Sequence, residues 1–487
     1  MEKDNSSKRV KIVSTLGPAT RELEMIEKLY LAGVNVFRLN FSHGAYEEQK
    51  YTYDNIRTVA KKYNTSIAVL ADMQGPKLRV GKFKNDKATL VPNQKFVLDL
   101  KDELGDETRV KLPHPQIFEA IKEGDALLVD DGKIRLEVER FAEDFIETKV
   151  IIGGVISNAK GVNFPSGVLK ISALTEKDLK DMEFALSLGV DYIGLSFVQL
   201  PSDVEHAREL IKGRAKIISK IEKPSALEHI CEIIRVSDAI MVARGDLGVE
   251  IPTEKVPVMQ KTIIRECRRQ SKPVIVATQM LDSMTNAPIP TRAEASDVAN
   301  AVFDGTDAVM LSGETTVGLY PVETVTTMAN IIKSVEGDAL YWNMLETSYK
   351  NIMDSYFAKH EKEDYMTIGR AVSVAAKNLA EELNAKVIVS FSSQGTTANR
   401  ISHQKPKAKM LTITNNKQLY NQMALNWGMQ AILSPEKISS FSEIVEIASS
   451  WLKEHKWVEA GDKIILVAGV PVDVGGITNS LRVVEIS

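Results

Sequence analysis

Short apolar segments alternate with segments of helical periodicity along much of the chain. Runs of about four to eight mostly apolar residues, each ending in polar residues, are typical of strands buried in a parallel sheet. The pattern predicts eight such strands: Val10–Thr15, Asn35–Asn40, Ile67–Asp72, Tyr192–Phe197, Ile217–Lys220, Ala239–Ala243, Val274–Thr278 and Ala308–Ser312. Amphipathic segments such as Arg21–Ala32 and Thr175–Leu188 stand between them. Eight parallel strands that alternate with helices close into a (β/α)8 TIM barrel, which is the predicted fold class.

Two other regions depart from this pattern. From Gly75 to about Ser172, short β runs separated by turns, such as Ile134–Val138, predict an inserted all-β domain. From about Met366, helices and strands alternate again without an eighth strand, which predicts an open α/β sheet. The predicted domains are an N-terminal tail (1–9), a catalytic barrel (10–74 and 173–340), a β-barrel lid domain (75–172) and a C-terminal α/β domain (341–487).

The composition narrows the function classes. The 487 residues include 61 Lys and Arg and 65 Asp and Glu, so the net charge of −4 does not draw the protein to nucleic acid or to an anionic membrane. No apolar run approaches the roughly 20 residues of a spanning helix, and Met1–Arg9 lacks the apolar core of a signal peptide. Cys231, Cys267 and the seven histidines show no metal-ligand spacing. We therefore expect a cytoplasmic protein that binds neither nucleic acid nor membrane.

Unusual polar residues lie at the C-terminal ends of the predicted barrel strands. They are Thr15, Arg38, Asn40, Asp72, Lys220, Glu222, Arg244, Asp246, Thr278, Gln279, Ser312 and Glu314. The loops that follow barrel strands form one rim, where catalytic groups from several strands meet. The pattern predicts one active site that is assembled from strands far apart in the sequence.

Lys220, Glu222 and Asp246 carry the most information. Lys220 and Glu222 project to the same face because they are two residues apart on a strand, and Asp246 joins them if its strand lies close. A divalent metal held by the two carboxylates, with the lysine directed at an anion, would use all three charges. On these residues alone, a structural ion pair is an equal alternative.

Arginine and hydroxyl groups at the same rim are open to two interpretations. Arg38, Asn40 and Ser42 share one face, and an arginine fork there suits phosphate or carboxylate, although it could instead brace the loops. Thr278 could serve the chemistry or simply cap a helix.

Seven sequence strings together closely resemble the pyruvate kinases. They are Ser14-Thr-Leu-Gly-Pro-Ala19, Asn35-Val-Phe-Arg-Leu-Asn-Phe-Ser-His-Gly44, Asp72 with Gly75-Pro-Lys-Leu-Arg79, Ser219-Lys-Ile-Glu222, Met241-Val-Ala-Arg-Gly-Asp-Leu-Gly248, Ala277-Thr-Gln-Met-Leu281 and Met310-Leu-Ser-Gly-Glu-Thr315. The resemblance covers essentially the whole chain, including the insertion and the C-terminal domain.

The resemblance implies transfer of the phosphoryl group of phosphoenolpyruvate to ADP, giving ATP and pyruvate, with Mg²⁺ or Mn²⁺ held by Glu222 and Asp246. It implies that Lys220 stabilises charge on the moving phosphoryl group and on the enolate, and that Arg38 binds phosphate. The hydroxyl of Thr278 is then expected near the enolate carbon, in a proton relay through water. The remaining residues implied at the substrate are Gly245, Ser312 and Glu314.

The family also implies a nucleotide side and an assembly. The residues implied to contact the nucleotide are Pro18, Asn40, His43, Arg79 and Lys177. Domain closure could bring Arg79 and Lys177 onto ADP. One departure is Val317, where many relatives have a lysine that reaches the nucleotide. A homotetramer is likewise implied.

A second departure concerns potassium. Many relatives hold a monovalent cation near Asn40, Ser42, Asp72 and the carbonyl of Met73, and carry Thr-Lys-Gly-Pro-Glu where this chain reads Met73-Gln-Gly-Pro-Lys77. An ammonium in place of that glutamate changes the local charge by two and would supply the positive charge itself. The chain thus resembles the potassium-independent, lysine-containing branch, and potassium is expected to give little activation. The alternative is a surface lysine on a hinge.

The segment Ser392-Ser393-Gln394-Gly395-Thr396-Thr397 resembles the family's effector-phosphate loop. Hydroxyls and backbone N–H groups at a helix start suit a phosphate, and a phosphorylated small molecule is the implied effector. Gln394 replaces the usual small hydroxyl residue, however, and no arginine partner is evident. An ordinary strand-to-helix turn also favours Gly and Thr.

Two other functions could use a similar fold. A metal-dependent barrel lyase that acts through a pyruvate enolate would share Glu222 and Asp246 but would not need Arg79, Lys177 or a lid. A non-catalytic binding protein on the same fold should have lost its strand-end charges, which are intact here.

Overall fold

A computed structural model describes residues 8–165, 167, 172–357, 367–434, 437–472 and 477–487. The tail predicted at 1–9 therefore lies outside the described residues except for its last two positions, and so does the predicted start of the third unit near Met366.

The strands, in chain order, are β1 (Lys11–Leu16), β2 (Val36–Asn40), β3 (Ala68–Asp72), β4 (Lys87–Leu90), β5 (Lys95–Asp99), β6 (Arg109–Lys111), β7 (Ala126–Val129), β8 (Ile134–Phe141), β9 (Phe145–Ile152), β10 (Gly154–Ser157), β11 (Val162–Asn163), β12 (Tyr192–Leu195), β13 (Lys216–Ile221), β14 (Ala239–Ala243), β15 (Val274–Ala277), β16 (Ala308–Leu311), β17 (Val387–Phe391), β18 (Lys409–Thr414), β19 (Met429–Leu433), β20 (Lys463–Ala468) and β21 (Ser480–Glu485).

The helices are α1 (Leu23–Ala32), α2 (Tyr46–Lys62), α3 (Pro115–Ala120), α4 (Glu176–Leu188), α5 (Pro201–Ile211), α6 (Pro224–Glu228), α7 (Ile230–Val236), α8 (Arg244–Glu250), α9 (Val256–Gln270), α10 (Arg292–Phe303), α11 (Gly313–Thr316), α12 (Pro321–Glu336), α13 (Ala339–Phe357), α14 (Ile368–Glu382), α15 (Thr396–His403), α16 (Lys417–Gln422) and α17 (Phe441–Glu454). Among the described residues, no helix combines the length and the apolar character needed to cross a membrane.

The eight predicted barrel strands form a closed, parallel barrel in the order β1-β16-β15-β14-β13-β12-β3-β2. Their side chains are almost all buried because the outer faces pack on helices and the inner faces fill the barrel. Three strands, β12, β15 and β16, end earlier than predicted. After β12 and β15 the chain turns at Phe197 and Thr278, whose φ angles of 55° and 68° are left-handed and incompatible with a strand.

The inserted region consists mainly of β-strands, as predicted. Its described strands pair into a six-stranded sheet, β11-β7-β8-β9-β5-β6, and a two-stranded sheet, β10-β4, and the region also contains the short helix α3. The insertion has its own apolar core, which includes Phe96, Leu136 and Phe164.

The C-terminal region forms the predicted open sheet, in the order β19-β18-β17-β20-β21, with β21 antiparallel to β20. It closes the N-terminal end of the barrel. Ala424 and Leu425 pack with the side chains that fill the barrel interior, and the Tyr192 hydroxyl donates to the Gln422 carbonyl at 2.9 Å. The opposite rim is left to form the site.

Candidate active site

Arg38 on β2, Asp72 on β3 and Lys220 on β13 form a series of buried charges at the C-terminal rim. The Arg38 guanidinium, at the end of β2, donates to Asp72 Oδ2 at 2.7 Å and to Thr15 Oγ1 at 3.0 Å. Asp72 ends β3, where it lies in register with Asn40. Burial would raise the pKa of the Asp72 carboxyl, but Lys220 and Arg38 outweigh it and hold the pKa below its usual value. Arg38 is thus anchored by a carboxylate that stays ionised.

Lys220 lies between two carboxylates. Its Nζ is 3.0 Å from Glu222 Oε1 and 3.4 Å from Asp72 Oδ1, and it donates to Ser196 Oγ at 2.6 Å. Burial would lower the pKa of the Lys220 ammonium, but Asp72 and Glu222 raise it above its usual value. The side chain is only 12% exposed, so a full positive charge is held in place at the rim.

Glu222 and Asp246 form the carboxylate pair that the sequence predicted. Glu222 Oε2 accepts from the Phe197 N–H at 2.8 Å, which orients the group. Burial raises the pKa of Glu222, Lys220 opposes that rise, and the negative charge of Asp246 adds to it. A buried carboxylate whose ionisation is opposed by a second carboxylate suits a divalent cation, since the cation would neutralise that charge.

The donor chemistry fits magnesium in particular. Mg²⁺ is usually bound by one or two carboxylates, with water and substrate oxygens completing its shell. In the described part of the chain, no group of three or more His, Cys, Asp or Glu is arranged to hold a metal. Glu222 and Asp246 supply two carboxylates at the rim, a donor set that could hold Mg²⁺ together with water and substrate oxygens.

Thr278 sits in a strained turn and contacts the loop that carries Asp246. Its Oγ1 accepts from the Gly245 N–H at 2.8 Å and donates to the Ala277 carbonyl at 2.6 Å. Thr278 and Gln279 both have left-handed φ angles, 68° and 52°, which are costly for residues with side chains. The capping alternative is partly correct, because Gly245 lies in the first turn of α8.

Arg244 is a bracing residue whose contacts are visible only in the structure. Its Nη2 donates to the Thr278 carbonyl at 2.8 Å, and its Nη1 pairs with Asp297 at 2.8 Å. It thereby supports the turn at Thr278 from behind.

Ser312 and Glu314 follow β16 on the adjacent part of the rim. Glu314 Oε2 accepts from the Ser312 N–H at 2.7 Å, and Oε1 accepts from the Leu281 N–H at 3.2 Å. Burial raises the pKa of Glu314 despite these backbone donors. The carboxylate thus links the loop after β16 to the loop after β15, which carries Thr278.

Ser196 is a rim residue that sequence reasoning missed. Its hydroxyl accepts from Lys220 and donates to the Met73 carbonyl at 2.8 Å. The available signal was its place directly after β12, the one predicted strand to which no polar rim residue was assigned.

The residues predicted on the nucleotide side are more dispersed. Lys177 donates to the Phe41 carbonyl at 2.8 Å, next to Asn40, whereas the Arg79 guanidinium donates to the Ala159 carbonyl within the insertion at 2.8 Å. Pro18 and His43 are exposed. The structure thus joins Lys177 to the rim but gives Arg79 a partner on the insertion.

The predicted monovalent-cation region lies beside Arg38. Asn40 Oδ1 accepts from the Ser42 N–H at 3.1 Å, and the Met73 carbonyl is bonded to Ser196. Lys77 lies against the returning segment of the insertion, since a Cβ on Gly161 would be 3.2 Å from Lys77 Cε. Lys77 therefore occupies the junction between barrel and insertion.

The loop from Ser392 to Thr397 precedes α15. Gly395, with φ of 87°, donates its N–H to Ser392 Oγ at 2.8 Å, and Thr397 Oγ1 is 2.6 Å from Thr478 Oγ1. The sequence suggested no arginine partner, but Arg400 Nη1 lies 3.5 Å from the same Thr478 hydroxyl. Arg400 is one helical turn after Thr397, a spacing that could have revealed it.

Comparisons with known proteins agree on one family. A family model described as the pyruvate kinase barrel domain matches residues 7–325, and one described as the pyruvate kinase alpha/beta domain matches residues 370–484. A curated pyruvate kinase of Agrobacterium vitis is 47% identical over 481 residues, which cover 99% of each chain. One from Methylorubrum extorquens is 44% identical over 477 residues, covering 98% of this chain and 97% of the relative. A crystal structure of a pyruvate kinase from Cryptosporidium parvum superposes with a TM-score of 0.92 at 32% identity, covering 100% of this chain and 98% of the other.

Proposed function

Since this chain belongs to the pyruvate kinase family, we propose that it transfers the phosphoryl group of phosphoenolpyruvate to ADP, giving ATP and pyruvate. The observation that carries the proposal is the buried network in which Lys220 lies between Asp72 and Glu222, with Arg38 on the far side of Asp72. A loose phosphoryl-transfer transition state is stabilised mainly by fixed positive charge and by positioning, and this network supplies both.

Glu222 and Asp246 would hold the divalent cation, Mg²⁺ or Mn²⁺. When bound, the ion neutralises charge on the substrate's carboxylate and phosphate oxygens. Arg38, held by Asp72, binds the phosphate from the other side, and Gly245, at the start of α8, lies beside the substrate.

Lys220 stays protonated and stabilises negative charge on the phosphoryl group as it leaves and on the enolate that remains. The enolate must then gain a proton at its methylene carbon. A hydroxyl is a poor acid at neutral pH, so Thr278 would pass a proton from water rather than give up its own permanently. Ser312 and Glu314 extend this polar network, and burial raises the pKa of Glu314.

ADP would lie between the rim and the insertion, in contact with Lys177, Arg79, Asn40, Pro18 and His43. Lys177 supports this placement because it already reaches the carbonyl of Phe41. Val317 is 60% exposed and offers no charge to the nucleotide.

The activity is tested by pyruvate formation from phosphoenolpyruvate, ADP and Mg²⁺. We expect turnover that requires all three. Release of pyruvate and inorganic phosphate without ADP would mean that water accepts the phosphoryl group and would contradict transfer to ADP, and ligand binding without product would favour the non-catalytic alternative.

We also propose that the activity does not require potassium. Lys77 is proposed to replace the cation at the region formed by Asn40, Ser42, Asp72 and the Met73 carbonyl. The wild type should be active in potassium-free buffer and change little when potassium is added. Lys77→Glu should be activated several-fold or more by potassium, whereas the matched control Lys82→Glu, on the exposed surface of the insertion, should behave as wild type. A Lys77→Glu variant that is fully active without potassium would contradict the charge replacement.

The loop from Ser392 to Thr397 is proposed to bind the phosphate of a small effector, supported by the Gly395 turn and by Arg400. Homotetrameric assembly and a cytoplasmic location are proposed on family grounds alone.

A further inference from the structure

A buried cluster outside the substrate-binding residues joins the insertion to both proposed metal-ligand loops. The Glu250 carboxylate, at the end of α8, pairs through Oε1 with Lys223 Nζ at 2.5 Å, and the same oxygen accepts from Asn163 Nδ2 at 2.7 Å. The side chain of Glu250 is 1% exposed and that of Lys223 is 11% exposed.

Each barrel member of this cluster adjoins one proposed metal ligand. Lys223 directly follows Glu222, and Glu250 lies four residues after Asp246, one turn further along α8. A single ion pair therefore fastens the loop of one ligand to the helix of the other. We expect a change in that pair to alter the separation of the two carboxylates.

The third member belongs to the insertion. Asn163 lies on β11, which pairs with β7 in the six-stranded sheet, so its position is set by that sheet. The hairpin between β7 and β8 touches the same helix, since a Cβ on Gly132 would be 3.7 Å from Val249 Cγ1. The insertion is thus seated on α8 at two points.

The cluster is poorly built for stability alone. Glu250 Oε2 is buried and accepts no hydrogen bond from the described residues, so one half of the carboxylate is left uncompensated. A buried ion pair with an unsatisfied oxygen is generally no more stable than apolar residues of the same volume. Its placement, rather than its contribution to stability, distinguishes it.

We propose that Glu250 and Lys223 are positioning residues that set the spacing of Glu222 and Asp246, and that Asn163 makes the seat of the insertion depend on the same carboxylate. The inference rests on the proposed function, since it takes those two residues as metal ligands. Metal binding in the rim and the orientation of the insertion over the nucleotide are then coupled through Glu250.

The test measures Mn²⁺ binding in the presence of phosphoenolpyruvate, by electron paramagnetic resonance of the free ion, for the intact protein and its variants. Residues that orient metal ligands typically change affinity by about 10- to 100-fold when they are replaced. We expect a loss of that size in both Glu250→Gln and Lys223→Met. A simple charge effect predicts opposite shifts, with weaker binding in Glu250→Gln and tighter binding in Lys223→Met, and that outcome would overturn the proposal.

Asn163→Ala keeps the ion pair between Glu250 and Lys223 and removes only the contact with the insertion. It should raise the KM for ADP at nearly constant kcat, because the insertion that carries Arg79 is less firmly seated, and it should also weaken Mn²⁺ binding, by less than Glu250→Gln does. An unchanged KM for ADP, or wild-type Mn²⁺ affinity, would refute the coupling.

Asp191→Asn is the matched control. Asp191 is an equally buried acid, paired with Arg57 at 2.7 Å at the N-terminal end of β12. It should lose stability but keep its Mn²⁺ affinity, and an equal loss of affinity there would refute a specific role for Glu250. Should Glu250→Gln fail to fold, Lys223→Met and Asn163→Ala still decide the question. Absence of Mn²⁺ binding by the wild type would refute the proposed metal pair itself.

Discussion

The barrel carries a buried ionic cluster at each end, and the two are balanced differently. At the C-terminal rim, three carboxylates, Asp72, Glu222 and Asp246, face two cations, Arg38 and Lys220. Asp72 Oδ1 accepts no hydrogen bond from the described residues. The rim therefore holds an excess of negative charge, which suits a site that binds a divalent cation.

The N-terminal end holds a cluster in which a buried carboxylate is paired with a buried lysine. Asp307 Oδ1 pairs with Lys405 Nζ at 2.5 Å, Oδ2 lies 3.5 Å from His403 Nε2, and the same oxygen accepts from the Val274 N–H at 2.9 Å. The three side chains are at most 2% exposed. Burial lowers the pKa of Lys405 to about 8. This cluster joins the barrel to the C-terminal domain and leaves no charge for a ligand.

The difference shows that buried charge alone does not identify an active site. Both clusters contain groups whose pKa values are shifted, and a search for shifted pKa values would select either cluster. The rim is distinguished by an excess of carboxylates over cations on an open edge, whereas the lower cluster pairs the Asp307 carboxylate with Lys405 and is covered by the C-terminal domain.

The largest expected effect is the loss of turnover in Lys220→Met. Removing the fixed positive charge should lower kcat by at least about 10³-fold, with Mn²⁺ binding largely retained, because the ion is held by other residues. Steady-state kinetics and metal titration measure the two. Lys216→Met, at the other end of β13, is the control and should retain activity. Full turnover of Lys220→Met would exclude the assigned role.

Lys405→Met should lose stability rather than turnover. It leaves Asp307 buried without its main partner, so the free energy of unfolding should fall by about 3–5 kcal/mol, as is typical when one member of a buried pair is removed. Urea denaturation at fixed protein concentration measures this, with exposed Lys407→Met as the control. Under conditions where it is folded, Lys405→Met should keep nearly the wild-type kcat, because the rim residues are intact. A loss of kcat as large as that of Lys220→Met would remove the distinction between the two ends.

A smaller effect is expected on the stability of the protein at acidic pH. Burial would raise the pKa of Asp307, but Lys405 and His403 outweigh it and lower the pKa below the ordinary 3.8. A group with a depressed folded-state pKa stabilises the fold above its unfolded pKa, and that stabilisation is lost as the pH falls through the folded value. The unfolding free energy of the wild type should therefore drop more steeply below pH 4 than that of Asp307→Asn. Parallel pH profiles would show that Asp307 does not contribute.

Much of the architecture could be predicted because it is encoded locally. The apolar runs and their polar ends fix which segments are barrel strands, and the C-terminal ends of parallel strands meet at one rim whatever the loops do. The sequence therefore predicted correctly that Arg38, Lys220 and Glu222 lie at the same rim. The strand order of the insertion could not be predicted, since alternating apolar residues do not specify which strand edges pair.

The sequence by itself determined the eight-stranded barrel, the open C-terminal sheet and the residue types at the rim, because periodicity and strand ends are properties of short segments. Only the tertiary structure decided the partners: Ser196 on Lys220, Arg244 behind Thr278, Glu250 between Lys223 and Asn163, and Asp307 against Lys405. The last of these pairs joins residues 98 positions apart. Such contacts depend on how whole domains dock, and docking is set by the sum of many packing interactions that no local pattern contains.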